Sequence, residues 1–268
     1  MRKLFTAYVI LAAAISLSCS QGSQQAKQLR DQCDAGNAQA CNDFAIKLMK
    51  GEYVLRDERS AATLFEKACN GKVADGCARL GVLYQEGTGV RRDSTRAPTL
   101  YKQGCEGGAM SGCTRLGLLH RKGAGVPIDQ TRAATLLQQG CAGGDLPGCA
   151  ELGVLYASGE GVAQDYTRAA TLFKQACDKN IYQACLGLGR LHVDGNGVER
   201  NEVRAAELFR KACYVEGEDI DEGEACYHLG QLYATGKGVK QDVDSAFYLG
   251  HRACNLGYDK ACPQRRRS

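Results

Sequence analysis

Several features on which catalysis or nucleic-acid binding commonly depends are missing from this sequence. Its 268 residues contain no tryptophan and six phenylalanines, and they carry a net charge of only +4. So small a charge gives no electrostatic case for binding nucleic acid. No Cys-x-x-Cys or His-x-x-x-His spacing occurs, so we expect no metal site and no cofactor.

Cysteine and glycine, by contrast, are abundant, with 15 and 33 copies. Fourteen cysteines form local pairs, and the first member of five of these pairs recurs at positions 69, 105, 141, 177 and 213. A constant step of 36 residues indicates repeated units that bury their apolar faces against their neighbours. This number of cysteines also indicates an oxidising compartment.

One repeat shows the predicted secondary structure. Leu80 and Leu83 fall at helical spacing, and Gly87 stands where a left-handed residue would end that helix. Asp93 suits the N-cap of a second helix, whose apolar stripe includes Leu100. This pattern therefore predicts that each repeat forms a helix hairpin. The predicted fold class is all-α, an α/α solenoid of hairpins cross-linked by disulfides.

The paired cysteines would close one helix and open the next. Neighbouring helices pack about 8–10 Å apart, so cysteines at a shared turn can reach the Cα separation of a disulfide. We expect structural disulfides within the local pairs, although the sequence alone leaves other connectivities open. The expected pairs are Cys33–Cys41, Cys69–Cys77, Cys105–Cys113, Cys141–Cys149, Cys177–Cys185, Cys213–Cys226 and Cys254–Cys262.

Two positions depart from the repeat. Pro98 replaces an alanine beyond the expected first turn of its helix, so we expect a local kink there. Between Cys213 and Cys226 the spacing grows, and the acidic stretch from Glu216 to Glu224 lacks the ordered ligands of a calcium loop. We interpret this stretch as a solvated loop rather than a cation site.

The N-terminus resembles a bacterial lipoprotein signal. A basic start is followed by a mostly apolar, uncharged stretch at residues 4–17, too short to span a membrane comfortably, and then by Cys19. We expect Cys19 to be acylated, with ordinary secretion as the alternative. Residues 1–19 are assigned to the signal, 20–25 to a tether, 26–262 to the repeat array and 263–268 to a basic tail. The expected location is the periplasm or the outer membrane of a bacterium.

The repeat unit resembles the Sel1-like repeat. It reads Leu-Gly-x-Leu-Tyr/His-x-x-Gly-x-Gly-Val, followed by Ala-x-x-Leu-Phe/Tyr-x-x-Ala/Gly-Cys, and the added Cys-x7-Cys pair resembles the Helicobacter cysteine-rich protein branch of that family. The resemblance covers about residues 25 to 262 and implies a disulfide-bridged superhelix in an exported protein. Sel1-like proteins in general act as adaptors, whereas that branch is linked to penicillin binding and slow β-lactam hydrolysis.

No set of catalytic residues can be assigned, and whether the protein is an enzyme stays open. The Ser-x-x-Lys, Ser-Asp-Asn and Lys-Thr-Gly elements of serine β-lactamases do not occur. His120 and His192 share a column with Tyr84, Tyr156 and Tyr233. We interpret this column as packing between helices rather than as a catalytic group.

The candidate binding surface consists of positions that vary within the constant frame. Two residues after the second cysteine, successive copies carry Arg79, Arg115, Glu151 and Gly187. Such variation suits a binding surface and plain solvent exposure equally. The leading hypothesis is a monomeric scaffold that binds a protein, a peptide or a peptidoglycan-derived fragment. The alternative is a penicillin-binding protein with weak β-lactamase activity.

Overall fold

The computed structural model of the chain describes residues 21–214 and 220–262. The predicted signal peptide with Cys19, residues 216–219 of the predicted acidic loop and the predicted basic tail 263–268 lie outside these residues. Residues 220–224 are helical, so the prediction of a solvated loop is wrong for this part of the stretch.

The described residues form helices joined by short turns, with no β-strand among them. Helix α1 covers residues 21–34. The others are α2 (Ala38–Lys50), α3 (Glu58–Asn70), α4 (Ala74–Glu86), α5 (Arg96–Glu106), α6 (Met110–Lys122), α7 (Gln130–Ala142), α8 (Leu146–Ser158), α9 (Tyr166–Asp178), α10 (Tyr182–Asp194), α11 (Glu202–Cys213), α12 (Ile220–Thr235), α13 (Val243–Asn255) and the 3₁₀ helix η1 (Asp259–Ala261). The predicted fold class, an all-α solenoid of helix hairpins, is confirmed.

The chain divides into two compact units, residues 1–128 and 129–268. The described part of the first unit contains α1 to α6, and that of the second contains α7 to η1. Within each unit, consecutive helices from α2 onward pack against one another. We call α2, α4, α6, α8, α10 and α12 the even helices, and α3, α5, α7, α9, α11 and α13 the odd helices.

Most odd helices begin at a polar capping residue. The side chains of Asp57, Asp129, Asp165, Asn201 and Asp242 each accept a hydrogen bond from a backbone N–H in the first turn. Each bond satisfies a donor that has no partner inside the helix. The capping residue therefore fixes where each of these odd helices starts.

The turn between an even helix and the next odd helix needs glycine for two reasons. Gly87 ends α4 in the left-handed region, with a φ of 81°, which glycine adopts without steric cost. Gly89 also has a positive φ, and a Cβ there would collide with the backbone carbonyl of Glu58 on α3. The Gly-x-Gly pattern thus serves a tight turn that lies against the preceding odd helix.

Aromatic side chains of the odd helices fill space that the even helices leave at glycines. The buried ring of Phe173 lies between Gly153 on α8 and Gly187 on α10, where a Cβ would come within 2.7 and 2.8 Å of the ring, respectively. Phe209 lies against Gly189 in the same way, at 2.6 Å. Buried aromatic rings of this size supply much of the apolar area removed from water, so these contacts hold successive helix pairs together.

Each cysteine pair joins the end of one helix to the start of the next element. The Cα–Cα distances run from 4.5 to 4.8 Å, inside the range for disulfides. The bonded pairs are Cys33–Cys41, Cys69–Cys77, Cys105–Cys113, Cys141–Cys149, Cys177–Cys185, Cys213–Cys226 and Cys254–Cys262. Every bridge lies within one of the two units.

Helix α1 is longer than the sequence analysis expected. Residues 21–25, which were assigned to the tether, are helical and continuous with the rest of α1. Gly22 and Ala26 are both buried, and Gly22 lies directly against the ring of Tyr53. This packing stabilises the helix, so the described part of the tether belongs to the helical array.

The kink expected at Pro98 is also wrong, because the helix shortens instead. Helix α5 begins at Arg96, two residues later in the repeat than α3 or α7. Pro98 therefore lies in the first turn, where the missing N–H is not needed. Asp93 accepts hydrogen bonds from the N–H groups of Thr95 and Arg96 at 2.9 and 3.0 Å, so the shortened end remains capped.

Candidate functional site

The predicted surface residues lie on the even helices, one turn or less after the cysteine that opens each helix. Arg79 is on α4 and Arg115 on α6 in the first unit, while Glu151 is on α8 in the second. Helix α4 contacts α6, α8 contacts α10, and α10 contacts α12. Within each unit, the side chains at this position are therefore carried on neighbouring helices.

In the first unit, Arg79 is exposed and ion-paired. Its Nε lies 2.7 Å from Oδ2 of Asp75, one helical turn earlier. Asp75 also accepts a hydrogen bond from Nδ2 of Asn42 on α2, at 3.4 Å. This chain of contacts links α2 to α4 while leaving about half of the Arg79 side chain in contact with solvent, because its exposure is 45%. An exposed ion pair contributes little to stability, so Arg79 is available to a partner.

Arg115 is held differently, because it lies beside a buried tyrosine hydroxyl. Tyr101 on α5 is fully buried, and its hydroxyl donates to Oε1 of Gln85 on α4 at 2.7 Å. Burial raises the pKa of Tyr101 to about 12, against the opposing effect of the nearby Arg115 guanidinium. Arg115 is consequently oriented by a contact with the core, which reduces its loss of freedom on binding.

In the second unit, the equivalent positions carry acidic and neutral groups. Oε1 of Glu151 on α8 accepts from Nε2 of Gln183 on α10 at 3.3 Å. On α10 and α12, Nη1 of Arg190 lies 3.2 Å from Oε1 of Glu224, and His228 lies 3.4 Å from the same oxygen. His228 holds the pKa of Glu224 below its usual range, with Arg190 adding to the effect.

The Tyr/His column has a structural role in the described residues. Nδ1 of His120 lies 3.2 Å from the carbonyl oxygen of Pro127, and Nδ1 of His192 lies 3.0 Å from that of Glu199. The hydroxyl of Tyr156 accepts from Arg168 at 3.3 Å. These two histidines thus stabilise the turns that follow α6 and α10.

A separate cleft on the odd-helix side is small. It has a volume of about 190 Å³ and is lined by residues that include Leu80, Arg96 and Gln103. Arg96 crosses it to Glu66, with the two side-chain atoms 2.5 Å apart, and also contacts the Tyr84 hydroxyl. Ligand sites for small molecules are usually about 300–1,000 Å³, so this cleft is a weaker candidate than the even-helix surface.

The described residues contain neither a cluster of metal-ligating side chains nor a membrane-spanning helix. No group of three or more His, Cys, Asp or Glu side chains in the described ranges could hold a metal ion. Likewise, none of the helices between residues 21 and 262 that the structure describes is long and apolar enough to cross a membrane.

Three features of the structure were not predicted from the sequence. Glu222 is almost fully buried, with a side-chain exposure of 4%, and pairs with Arg252. The hydroxyl of Tyr101 donates a hydrogen bond to Gln85 and lies beside Arg115. The third feature is the exposed side chain of Phe247 on α13. Two of these left a signal in the sequence: Tyr101 occupies a position that holds Phe or Leu in every other odd helix except α13, and Phe247 is displaced from the aromatic column. The ion pair left none.

A family model described as Sel1 repeat matches six segments of the chain. They are residues 38–72, 74–108, 111–145, 146–181, 183–214 and 223–258. No curated protein matches the chain.

The chain is also similar to several solved structures. The chain is similar to c5321, a protective antigen present in uropathogenic Escherichia coli strains that displays an SLR fold, with 26% identity and a TM-score of 0.72 over 88% of this chain and 50% of that one. It thus spans half the length of that structure. It is also similar to a Sel1 repeat protein from Oxalobacter formigenes, with 20% identity and a TM-score of 0.76 over 91% of this chain and 95% of that one. Helicobacter pylori cysteine rich protein B matches 48% of this chain and 93% of its own length, at 26% identity and a TM-score of 0.40.

The six matched segments cover most of the chain, and each spans all or nearly all of one even helix and the odd helix that follows it. The resemblance seen in the sequence is thereby confirmed: the chain belongs to the Sel1 repeat family.

Proposed function

We propose that this protein is an exported adaptor that binds a protein or peptide partner through the surface of its even helices. Sel1 repeats generally mediate protein–protein interactions, and the chain is a scaffold of this family. Its seven disulfides indicate an oxidising, exported environment. These two facts together favour an extracytoplasmic adaptor.

One observation carries the proposal. The buried frame is nearly the same in each repeat, whereas the position two residues after the second cysteine changes its charge along the chain. The first unit has Asp43, Arg79 and Arg115 at this position, and the second has Glu151, Gly187 and His228. Arg79, Arg115 and Glu151 keep contact with solvent, whereas Gly187 and His228 at the same position lie against the rings of Phe173 and Phe209. Exposed charges that differ from copy to copy can select a partner by electrostatic complementarity.

The test reverses these charges and compares them with matched reversals on the odd helices. Purified wild type, Arg79→Glu and Glu151→Lys would be used to capture partners from envelope extracts. The controls are Lys67→Glu and Glu207→Lys, which are exposed on α3 and α11. We expect the captured partner to fall at least about tenfold with the even-helix variants, on the scale of a lost charge contact, and to be unchanged with the controls. Equal capture by all five proteins would refute the proposal.

The chemistry of the captured molecule decides between partner classes. A specific protein or peptide supports the adaptor. Recovery of peptidoglycan fragments that compete for the same residues would instead assign the surface to cell-wall binding. No contact within the described ranges favours penicillin binding or β-lactam hydrolysis, and we do not propose that alternative.

The proposal includes a lipid anchor at Cys19. Support comes from the basic start, the apolar stretch and the cysteine count, because the seven disulfides use all the cysteines except Cys19. Labelled palmitate should be incorporated into the wild type and not into Cys19→Ala. Label that persists in the variant would exclude acylation at this residue.

A further inference from the structure

The outer face of α13 differs from that of every other odd helix. Four residues before the first cysteine of each pair, the other odd helices carry a large buried side chain: Phe65, Tyr101, Leu137, Phe173 or Phe209. Helix α13 has Gly250 there. Three residues earlier, the other odd helices carry buried small residues: Ala62, Pro98, Ala134, Ala170 or Ala206. Helix α13 has Phe247 there.

These exchanges create an apolar stripe that the described residues leave largely uncovered, although the ring of Phe247 lies edge-on against His251 of the same helix, with centroids 4.3 Å apart. Phe247 is 69% exposed and Val243 is 70% exposed. Val243, Phe247, Gly250 and Cys254 fall at i, i+4, i+7 and i+11, so they share one face of the helix. A Cβ built on Gly250 would meet nothing within 4 Å. The stripe therefore has a projecting ring and, one turn away, an open notch.

In the interior of the array, the following helix pair covers this face. Phe209 shows the arrangement, because its ring stacks on His228 of the next even helix with centroids 5.2 Å apart. The last unit of a repeat array normally has a polar outer face for solubility. Helix α1 meets this requirement, since its exposed residues include Gln24, Lys27 and Asp31. Helix α13 does not meet it.

The stripe is complementary to itself. If two copies of α13 lie antiparallel across a two-fold axis that passes between residues 248 and 249, Phe247 of each copy enters the notch at Gly250 of the other. Such reciprocal contacts define an isologous interface. A head-to-tail contact would instead place the apolar stripe against the polar face of α1, which would bury polar groups without partners.

The polar side chains at the two ends of α13 favour the same arrangement. Asp242 and Asp244 stand at its start, while His251 and Arg252 stand in its last two turns. Asp244 and His251 flank the stripe on the same side at opposite ends, so an antiparallel pair brings Asp244 of one copy near His251 of the other. The helix dipoles are then also antiparallel.

We propose that α13 is a self-association surface, through which two copies of this protein pair with Phe247 seated over Gly250. The proposal is independent of the adaptor function and replaces the monomer expected from the sequence. The contact is one helix face about 20 Å long. That is less than the area of a standard interface, so the dimer should be weak, with a Kd on the order of 10–100 µM.

The test is sedimentation equilibrium of the oxidised full chain over a concentration range that spans this Kd. The wild type should shift from monomer to dimer. Phe247→Ala removes the projecting ring and Gly250→Leu fills the notch, and each should raise the Kd at least about tenfold. Leu55→Ala is the control, because Leu55 is 91% exposed in the first unit and lies outside the stripe.

Folding of the variants would be checked by circular dichroism. Phe247 is mostly exposed, so its removal should leave the helices intact. A wild type that remains monomeric throughout would overturn the proposal, and so would a dimer that both variants leave unchanged. A monomeric wild type whose capture of a different protein depends on Phe247 would assign the stripe to that partner, and would equally overturn it.

Discussion

Removal of the Cys213–Cys226 disulfide should lower the free energy of unfolding by about 3 kcal/mol. This bond joins residues 13 apart, whereas Cys69–Cys77 joins residues 8 apart. In the chain-entropy account, a closed loop of about fourteen residues restricts the unfolded state by about 3 kcal/mol, and a loop of about nine by about 2.6 kcal/mol. Both cysteines of the longer bridge are fully buried, so alanine is the least disruptive replacement.

The measurement is urea unfolding followed by far-UV circular dichroism. The double variant Cys213→Ala/Cys226→Ala would be compared with the wild type and with Cys69→Ala/Cys77→Ala, first oxidised and then with excess reductant. We expect losses of about 3 and about 2.6 kcal/mol in the oxidised samples. With reductant the differences should nearly vanish, because no protein then has a bridge. A loss below about 1 kcal/mol in the oxidised variant, or a loss that survives reduction unchanged, would refute the entropic account of these bridges.

Three further predictions concern the core. Gly153→Ala should cost about 1–3 kcal/mol in urea unfolding, because the added methyl group would lie 2.7 Å from the ring of Phe173; an unchanged midpoint would contradict the packing described above. Arg252→Ala should cost about 3–5 kcal/mol by leaving the buried carboxylate of Glu222 unpaired, and Arg252→Ala with Glu222→Gln should recover part of that loss; no recovery would argue against the ion pair. The pKa of Tyr101 is raised to about 12, so between pH 10 and 12 its hydroxyl stays protonated in the folded state and is deprotonated in the unfolded state. The free energy of unfolding should therefore fall as pH rises through this window. Tyr101→Phe should lessen this fall, and a variant with the same pH profile as the wild type would exclude this cause.

The array could be predicted from the sequence because its signals are local and recur. Leucine spacing, the glycine turns and the cysteine period each point to helix hairpins, and they agree in most copies. Asp93 is not the N-cap residue of α5, which is Thr95, but its carboxylate still accepts from the N–H groups of Thr95 and Arg96. The prediction at Pro98 was wrong because the repeat places the start of α5 two residues earlier than the proline permits.

The candidate surface was only partly predictable. The varying positions of Arg79 and Glu151 can be read from an internal alignment, but their contacts with Asp75 and Gln183 depend on which helices become neighbours. The exchange at Phe247 was visible in the sequence as a departure from the repeat. Its meaning depends on knowing that the equivalent alanines are buried by a following helix pair, which only the fold shows.

The role of the even helices can be tested most directly by photo-cross-linking in cells. A photoreactive amino acid would replace Arg79 or Glu151 on the even helices, and Lys67 or Glu207 on the odd helices as matched positions. The adaptor account predicts a discrete cross-linked partner from the two even-helix positions and none from the two odd-helix positions. Adducts of equal yield from all four positions, or adducts from the odd helices alone, would contradict it.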